Sequence, residues 1–246
     1  MKRTVLLPLI FMLALSMACA VSGLEFSSLE RISGSGNLVE LDQDFTNFDS
    51  LQIETAFEVE VNQGGNYSVV IRIDDNLVDY LEVGQRGDEV RIGLDSSKNY
   101  NYDTITVEAE ITMPELAAID LSGASRAVLD GFSSNSPFQA DVSGASRLRG
   151  EIAAGDTLID VSGSGSVEIS GSGSDLDIEA SGGSNVDLAD FPVSDTSVIA
   201  SGASTVVVNS SGTLKVEASG ASRIEYLGSP TLGPVNLSGA SSLDAR

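Results

Sequence analysis

The chain has 246 residues, with 13 Lys and Arg against 36 Asp and Glu, no His, no Trp and a single Cys. Without His there is no Ser-His-Asp triad, no Cys-His pair and no His-ligated metal, and one Cys excludes an intramolecular disulfide and a zinc–thiolate cluster. A net charge of −23 opposes duplex nucleic acid as a partner, while 41% hydrophobic residues set the chain apart from a charged disordered tract.

Met1-Lys2-Arg3-Thr4 is a short basic start, and Val5 to Leu15 is an apolar run broken only by Pro8. Small residues follow through Ala20. This is the pattern of a secretory signal peptide, with an apolar core shorter than the ~20 residues that span a bilayer. Cys19 falls where the signal ends, and Ser16-Met17-Ala18-Cys19 resembles a bacterial lipobox, in which the Cys becomes the lipidated N-terminus. Ser16 stands where that pattern prefers Leu. The plainer alternative is ordinary signal-peptidase cleavage, for which Ala18-Cys19-Ala20 is itself a small-x-small site. The expectation is export to the cell envelope with Cys19 as lipid attachment, the alternative being a secreted protein. Removal of residues 1–18 leaves 11 basic against 36 acidic residues, a net charge of −25. Residues 1–19 are thus read as signal peptide, 20–33 as tether and 34–246 as the fold.

Residues 34–115 read as β structure without a repeat. Ser50 to Val61, Tyr67 to Ile73, Glu89 to Leu94 and Thr104 to Met113 have strand composition. Asp74 to Leu81 reads as one short helical insertion with Asp at its start. Asn62 to Asn66 and Gln85 to Asp88 read as turns, and Ser33-Gly34-Ser35-Gly36-Asn37 echoes the motif that dominates residues 116–246. Asn99-Tyr100-Asn101-Tyr102 is a candidate exposed aromatic loop, its plainer reading a turn between strands. This half is expected to open the same solenoid as the second half, with a separate N-terminal β domain as the alternative.

Residues 116–246 repeat. Ser-Gly-Ala-Ser occurs at 122–125, 143–146, 201–204, 219–222 and 238–241, with variants at 162–165 and 181–184, so the motif recurs every 18 to 21 residues. Around each copy the apolar residues alternate, as in Ile159, Val161, Val167 and Ile169, which is the period of a half-buried strand. A unit this short cannot bury its own apolar face and must stack on copies of itself. Helical repeats lack the required period, and a propeller blade needs about 40 residues or more. The expected fold is all-β: a parallel, right-handed, single-stranded β-helix (β-solenoid) with coils of about 19 residues. The alternation is expected to run straight through the motif, with its Gly inward at a bend. Ser125, Ser146, Ser184, Ser204, Ser222 and Ser241 would then stack as an internal hydroxyl ladder.

The surface feature of this repeat is a column of acids before the motif: Asp120, Asp141, Asp160, Glu179 and, beyond Ile199, Glu217. Arg126, Arg147 and Arg223 come after the motif and are expected to offset part of that charge. The plainer reading is a solvated face, the sharper one a Ca²⁺ ladder. Pairs of carboxylates at such spacing would also suit a glycosidase, but they occur anywhere on a solenoid and discriminate nothing.

The signal with its Cys, "ISGSGNLVE", "FDSLQIETAFEVEVNQGG", "DDNLVDYLEVGQRGDEVRIGL" and the strings of "LSGAS" and "VSGSG" resemble the bacterial family "putative auto-transporter adhesin, head GIN domain", common in envelope lipoproteins, over residues 33–246. The resemblance implies a right-handed β-helix and an adhesin-like role, and it carries no catalytic residues. An autotransporter in the full sense ends in a membrane β-barrel, and this chain stops in its last repeat, so self-export is not expected. The expected function is a non-catalytic, lipid-anchored envelope protein that binds or scaffolds. Its expected partners are the membrane, through the N-terminal lipid, and a glycan or envelope protein, with no nucleic acid, cofactor or metal. The alternatives are a polysaccharide-active enzyme on a β-helix and a Ca²⁺-stabilised surface module.

Overall fold

The computed structural model of the chain describes residues 31–97 and 101–246. Two sheets, of ten and eleven strands, face each other across one continuous apolar core. Each regular coil gives one strand to each sheet: Thr157–Val161 then Ser166–Ser172, and next Leu176–Ala180 then Asn185–Val193. Successive coils pair in parallel and residue on residue, so that Ile159 stacks on Ile178 and Val167 on Val186. The alternation sends Ile159, Val161 and Val167 fully into the core. The fold is a β-solenoid of stacked parallel coils of about 19 residues, as the repeat predicts.

The motif departs from its expected conformation. It is a four-residue turn between sheets, not a stretch of strand, and its Gly faces solvent. Buried Ser125 lies four positions after buried Leu121, so the count of alternation survives although the strand does not. Gly is required for two reasons. Gly202 has φ +76°, and a Cβ there would lie 2.5 Å from the carbonyl oxygen of Gly182 in the coil below. That carbonyl accepts a 2.7 Å bond from Ala203 N, and the same bond recurs from Ala221 to Gly202 and from Ala240 to Gly220. The corner is therefore a hydrogen-bonded ladder of its own.

The hydroxyl column is present but is not mainly a ladder. Ser125 Oγ donates to Ser122 O at 2.8 Å and Ser222 Oγ to Ser219 O at 2.8 Å, each closing its own turn. Ser204 and Ser222 alone bond hydroxyl to hydroxyl, at 3.3 Å. Ser146 and Ser184 Oγ are buried without a hydrogen-bond partner. They flank Gly165, the copy that lacks the hydroxyl.

Residues 34–115 extend both sheets out of sequence order. Ser50–Ile53 and Glu58–Gln63 lie under the first regular coil. Ser50 to Val61 is thus two strands, parted by a turn in which Thr55 and Ala56 take φ of 59° and 61° without any Gly to announce it. Phe57 occupies the place of the column serine and is fully buried. Glu89–Leu94 and Val107–Met113 add a further parallel layer beneath. Leu81–Arg86, Ser68–Asp74 and Leu38–Gln43 then run antiparallel and close this end. The helical insertion is a 3₁₀ helix, Asp75–Tyr80, whose Leu77 plugs the core.

The segment around Gly34 forms no coil corner. It wraps Asp74, whose buried carboxylate accepts Gly36 N and Thr106 N, each at 2.7 Å, rather than capping the helix. Asn76 fastens the same loop through Ser35 N and Ser33 O, both at 2.9 Å.

Candidate functional site

The acidic column forms on the outer face of the ten-stranded sheet. Asp120 pairs in register with Asp141, Asp141 with Asp160, and Asp160 with Glu179, so neighbouring backbones are ~4.8 Å apart. Exposed Ile199 interrupts the column before Glu217. Half-buried serines of the turns run beside it, and Asp160, Ser162, Glu179, Ser181, Ile199 and Ser201 line an open hollow of about 310 Å³.

The arginines beyond the motif do not serve this column. The turn carries them to the other sheet, where Arg126 sits beside Arg147 and pairs with Glu58 at 2.8 Å. Upstream, Arg91 is engaged by Glu54 at 2.7 Å and Glu82 at 3.6 Å. The column therefore keeps its repulsion. Burial first, then Asp141 and Glu179, raise the Asp160 carboxyl above its ordinary 3.8, and burial, then Asp141, Glu54 and Glu89, raise Asp120.

These carboxyls bind a proton more tightly folded than unfolded. Their stabilisation is complete below 3.8 and is lost as pH rises through the raised folded values. Thermal melts are expected to show higher Tm near pH 4.5 than at pH 7. Each neighbour repulsion is only ~1 kcal/mol in water, so Asp160→Asn should raise Tm at pH 7 by about 2–4 °C and flatten the pH dependence. An unchanged profile in the variant would remove the column as its source.

Among the described residues no group of three or more acidic side chains is arranged to hold a metal ion. The parallel strands fan successive carboxylates along a line instead of converging them on a point.

A second open hollow, also about 310 Å³, lies on the eleven-stranded sheet near the capped end. One row there runs Arg72, Glu108, Glu58, Arg126, and the next runs Val70, Glu110, Glu60, Val128. Arg72 bonds Glu108 at 3.3 Å. Glu60 and Glu110 stand side by side between two valines. Sequence reading missed this array because its strands meet out of order. The legible signal was Glu58-Val59-Glu60 and Glu108-Ala109-Glu110, each with both acids on the outward parity.

Neither hollow has an aromatic lining, and both open to solvent. Such faces suit recognition of an extended surface better than enclosure of a reacting bond. Of the expected aromatic loop, Asn99 and Tyr100 lie outside the described residues. Tyr102 is half-buried, donates to Asp95 O at 2.9 Å and packs edge-on to Tyr80 at 6.4 Å, a structural role. Cys19 lies outside the described residues, as do residues 1–30 as a whole. Among the described residues no helix is long and apolar enough to cross a membrane.

The profile of the family "Putative auto-transporter adhesin, head GIN domain" matches residues 47–230, most of the solenoid. The chain belongs to this family. Solved structures share this fold, among them the following three. One, described as a "putative adhesin" from Bacteroides fragilis NCTC 9343, is 18% identical with a TM-score of 0.80, covering 87% of this chain and 100% of its own. A "putative adhesin" from Parabacteroides merdae ATCC 43184 is 14% identical, with a TM-score of 0.65 over 88% and 99% of the two chains. A "putative lipid binding protein" from Parabacteroides distasonis ATCC 8503 is 18% identical, with a TM-score of 0.65 over 88% and 100%. At these identities the likeness is one of fold. No curated protein matches the chain. The head GIN profile spans both hollows and the acidic column, and ends before the last coil.

Proposed function

We propose that this head GIN protein is a non-catalytic envelope protein, lipid-anchored at Cys19, that presents its solenoid as a rigid adhesive or scaffolding surface. The observation that carries the reading is the form of the two candidate faces. Both are charged hollows open to solvent, built on paired strands whose geometry is set by the core behind them. Membership in an adhesin family points the same way. Rigid strands hold repeated groups at fixed spacing, which suits a repetitive ligand such as a glycan, because binding then costs little ordering of the protein.

The test is retention of residues 20–246 on a polysaccharide and glycan array, scored together with product release. Saturable retention without release supports the reading, and release of product overturns it in favour of a polysaccharide-active enzyme. Anchoring is tested separately in cells. The full chain should fractionate with membranes and take up labelled fatty acid, and Cys19→Ala should lose both almost completely. Acyl chains contribute about 0.8 kcal/mol per buried CH₂, and no other feature of the described chain replaces them. Membrane retention by Cys19→Ala would overturn the anchor.

A further inference from the structure

A third open hollow, of about 280 Å³, lies on the side of the solenoid opposite the Gly turns, lined by Asn47, Phe48, Asp49, Tyr67, Pro114 and Glu115. These residues come from three loops that the fold gathers from distant parts of the chain. One leads into Ser50–Ile53, one leads into Ser68–Asp74 and one follows Val107–Met113.

The loops are fastened to their surroundings. Asp49 N donates to Asp88 O at 3.0 Å, and Ala117 N to Asp49 O at 2.7 Å. Gln63 Nε2 donates to Pro114 O at 3.0 Å, and Gln85 Nε2 to Thr46 O at 2.8 Å. Asn47 takes φ 57°, a left-handed conformation that Asn adopts more readily than most residues. Walls held in this way need little ordering to receive a ligand.

The lining is of two kinds. Its apolar part is Pro114 and the half-buried Tyr67 ring, which packs on fully buried Phe48 with centroids 5.0 Å apart and is thereby fixed in place. Its polar part is the Asn47 amide, which donates and accepts, and the Asp49 and Glu115 carboxylates, which only accept. No basic side chain lines the hollow, and among the described residues neither carboxylate forms an ion pair. Burial first, then Asp88 and Glu115, raise the Asp49 carboxyl above its ordinary 3.8. An anionic ligand would add to that repulsion, whereas a ligand that donates hydrogen bonds would relieve it.

These requirements select a class of ligand. A pyranose offers a C–H face to the electron-rich face of an aromatic ring, and a rim of hydroxyls to acceptors. The volume lies just below the roughly 300–1,000 Å³ of sites for drug-sized molecules, which leaves room for one such ring. A small cation would be met by the carboxylates and would leave Asn47 and Pro114 unused.

We propose that this hollow binds one neutral pyranose unit of a glycan, its C–H face on Tyr67 and its hydroxyls donating to Asp49 and Glu115. The proposal rests on the glycan-binding form of the function given above, and names a site and a ligand class for it. Uronic acids are excluded by the same two carboxylates.

An NMR titration of isotope-labelled residues 20–246 with the methyl glycosides of glucose, galactose, mannose and N-acetylglucosamine tests it. At least one is expected to shift the amides of Asn47, Asp49, Tyr67 and Glu115 with a Kd of about 1 mM, the range for a ligand of ~13 heavy atoms. Methyl glucuronide should bind at least tenfold more weakly. Tyr67→Ala should weaken binding at least tenfold and Glu115→Ala at least threefold, while Tyr67→Phe stays within about twofold. Glu115 is exposed, so its variant reads the site even if Tyr67→Ala fails to fold. Leu158→Ser, on the lateral face, should change nothing. Silence of all four glycosides, or binding indifferent to Glu115→Ala and Tyr67→Ala, overturns the proposal. So does a response to methylammonium alone, which would make the hollow a cation site. Retention on the glycan array that survives both variants would remove this site and leave the adhesive reading standing, whereas product release would overturn that reading itself.

Discussion

Gly202→Ala is expected to destabilise the protein by about 3–4 kcal/mol, lowering Tm by about 10 °C, in urea or thermal unfolding of residues 20–246. Two costs add. An L side chain at φ +76° loses about 1–2 kcal/mol. Forcing its Cβ against the Gly182 carbonyl, a rigid backbone atom 2.5 Å away, costs about 1–3 kcal/mol more. The displaced carbonyl is also the acceptor of the corner bond from Ala203, so relief by movement breaks the ladder that the turn depends on. Gly65→Ala is the control, since nothing lies within 4 Å of that Cβ and its φ is ordinary. A loss below 1 kcal/mol at Gly202 would mean that the corners tolerate the side chain and that Gly recurs there for another reason.

Asp74→Ala should cost about 3 kcal/mol and act on the capped end alone. The substitution leaves Gly36 N and Thr106 N without their acceptor, at about 1–3 kcal/mol for each buried group left unpaired. Hydrogen exchange should lose protection at Gly36 and Thr106 while the amides of the regular coils keep theirs, because the coils are held by their own ladders. Gly34→Ala should reproduce the effect, since its Cβ would run into the Asp74 carboxylate. Asp75→Ala, which removes only an exposed bond to Ser35 Oγ, should stay within about 0.5 kcal/mol. Uniform loss of protection along the chain would contradict the division into a locally fastened cap and self-supporting coils.

The two hollows differ in how far they could be foreseen. The acidic column was legible because one repeat length maps to one coil, so residues 19 or so apart become neighbours. Its lack of compensating arginines was not. Arg126 lies six residues beyond Asp120, yet the turn between them places the two on opposite sheets, and only the path of the backbone through that turn decides it. The Glu58, Glu60, Glu108 and Glu110 array was still less accessible, since 50 residues of chain double back before its two strands meet.

The repeat by itself determined the architecture of residues 116–246. Alternation at period 2 sets which side chains face inward, and a period of about 19 leaves stacking as the only way to bury them. The same local rules predicted a helical turn near residue 75, and the tertiary structure narrowed it to a 3₁₀ helix plugging the core. What the tertiary structure decided lies where contacts are made by residues far apart in the chain. Ser33–Asn37 looks like a coil corner but wraps Asp74, because a buried carboxylate demands donors and that loop supplies them. Thr55 and Ala56 turn the chain without Gly, because the coil above holds the corner in place. Leu232 and Leu237 belong to the core by pattern and to the surface by position, since burial depends on whether another coil covers them and not on the residue's own alternation.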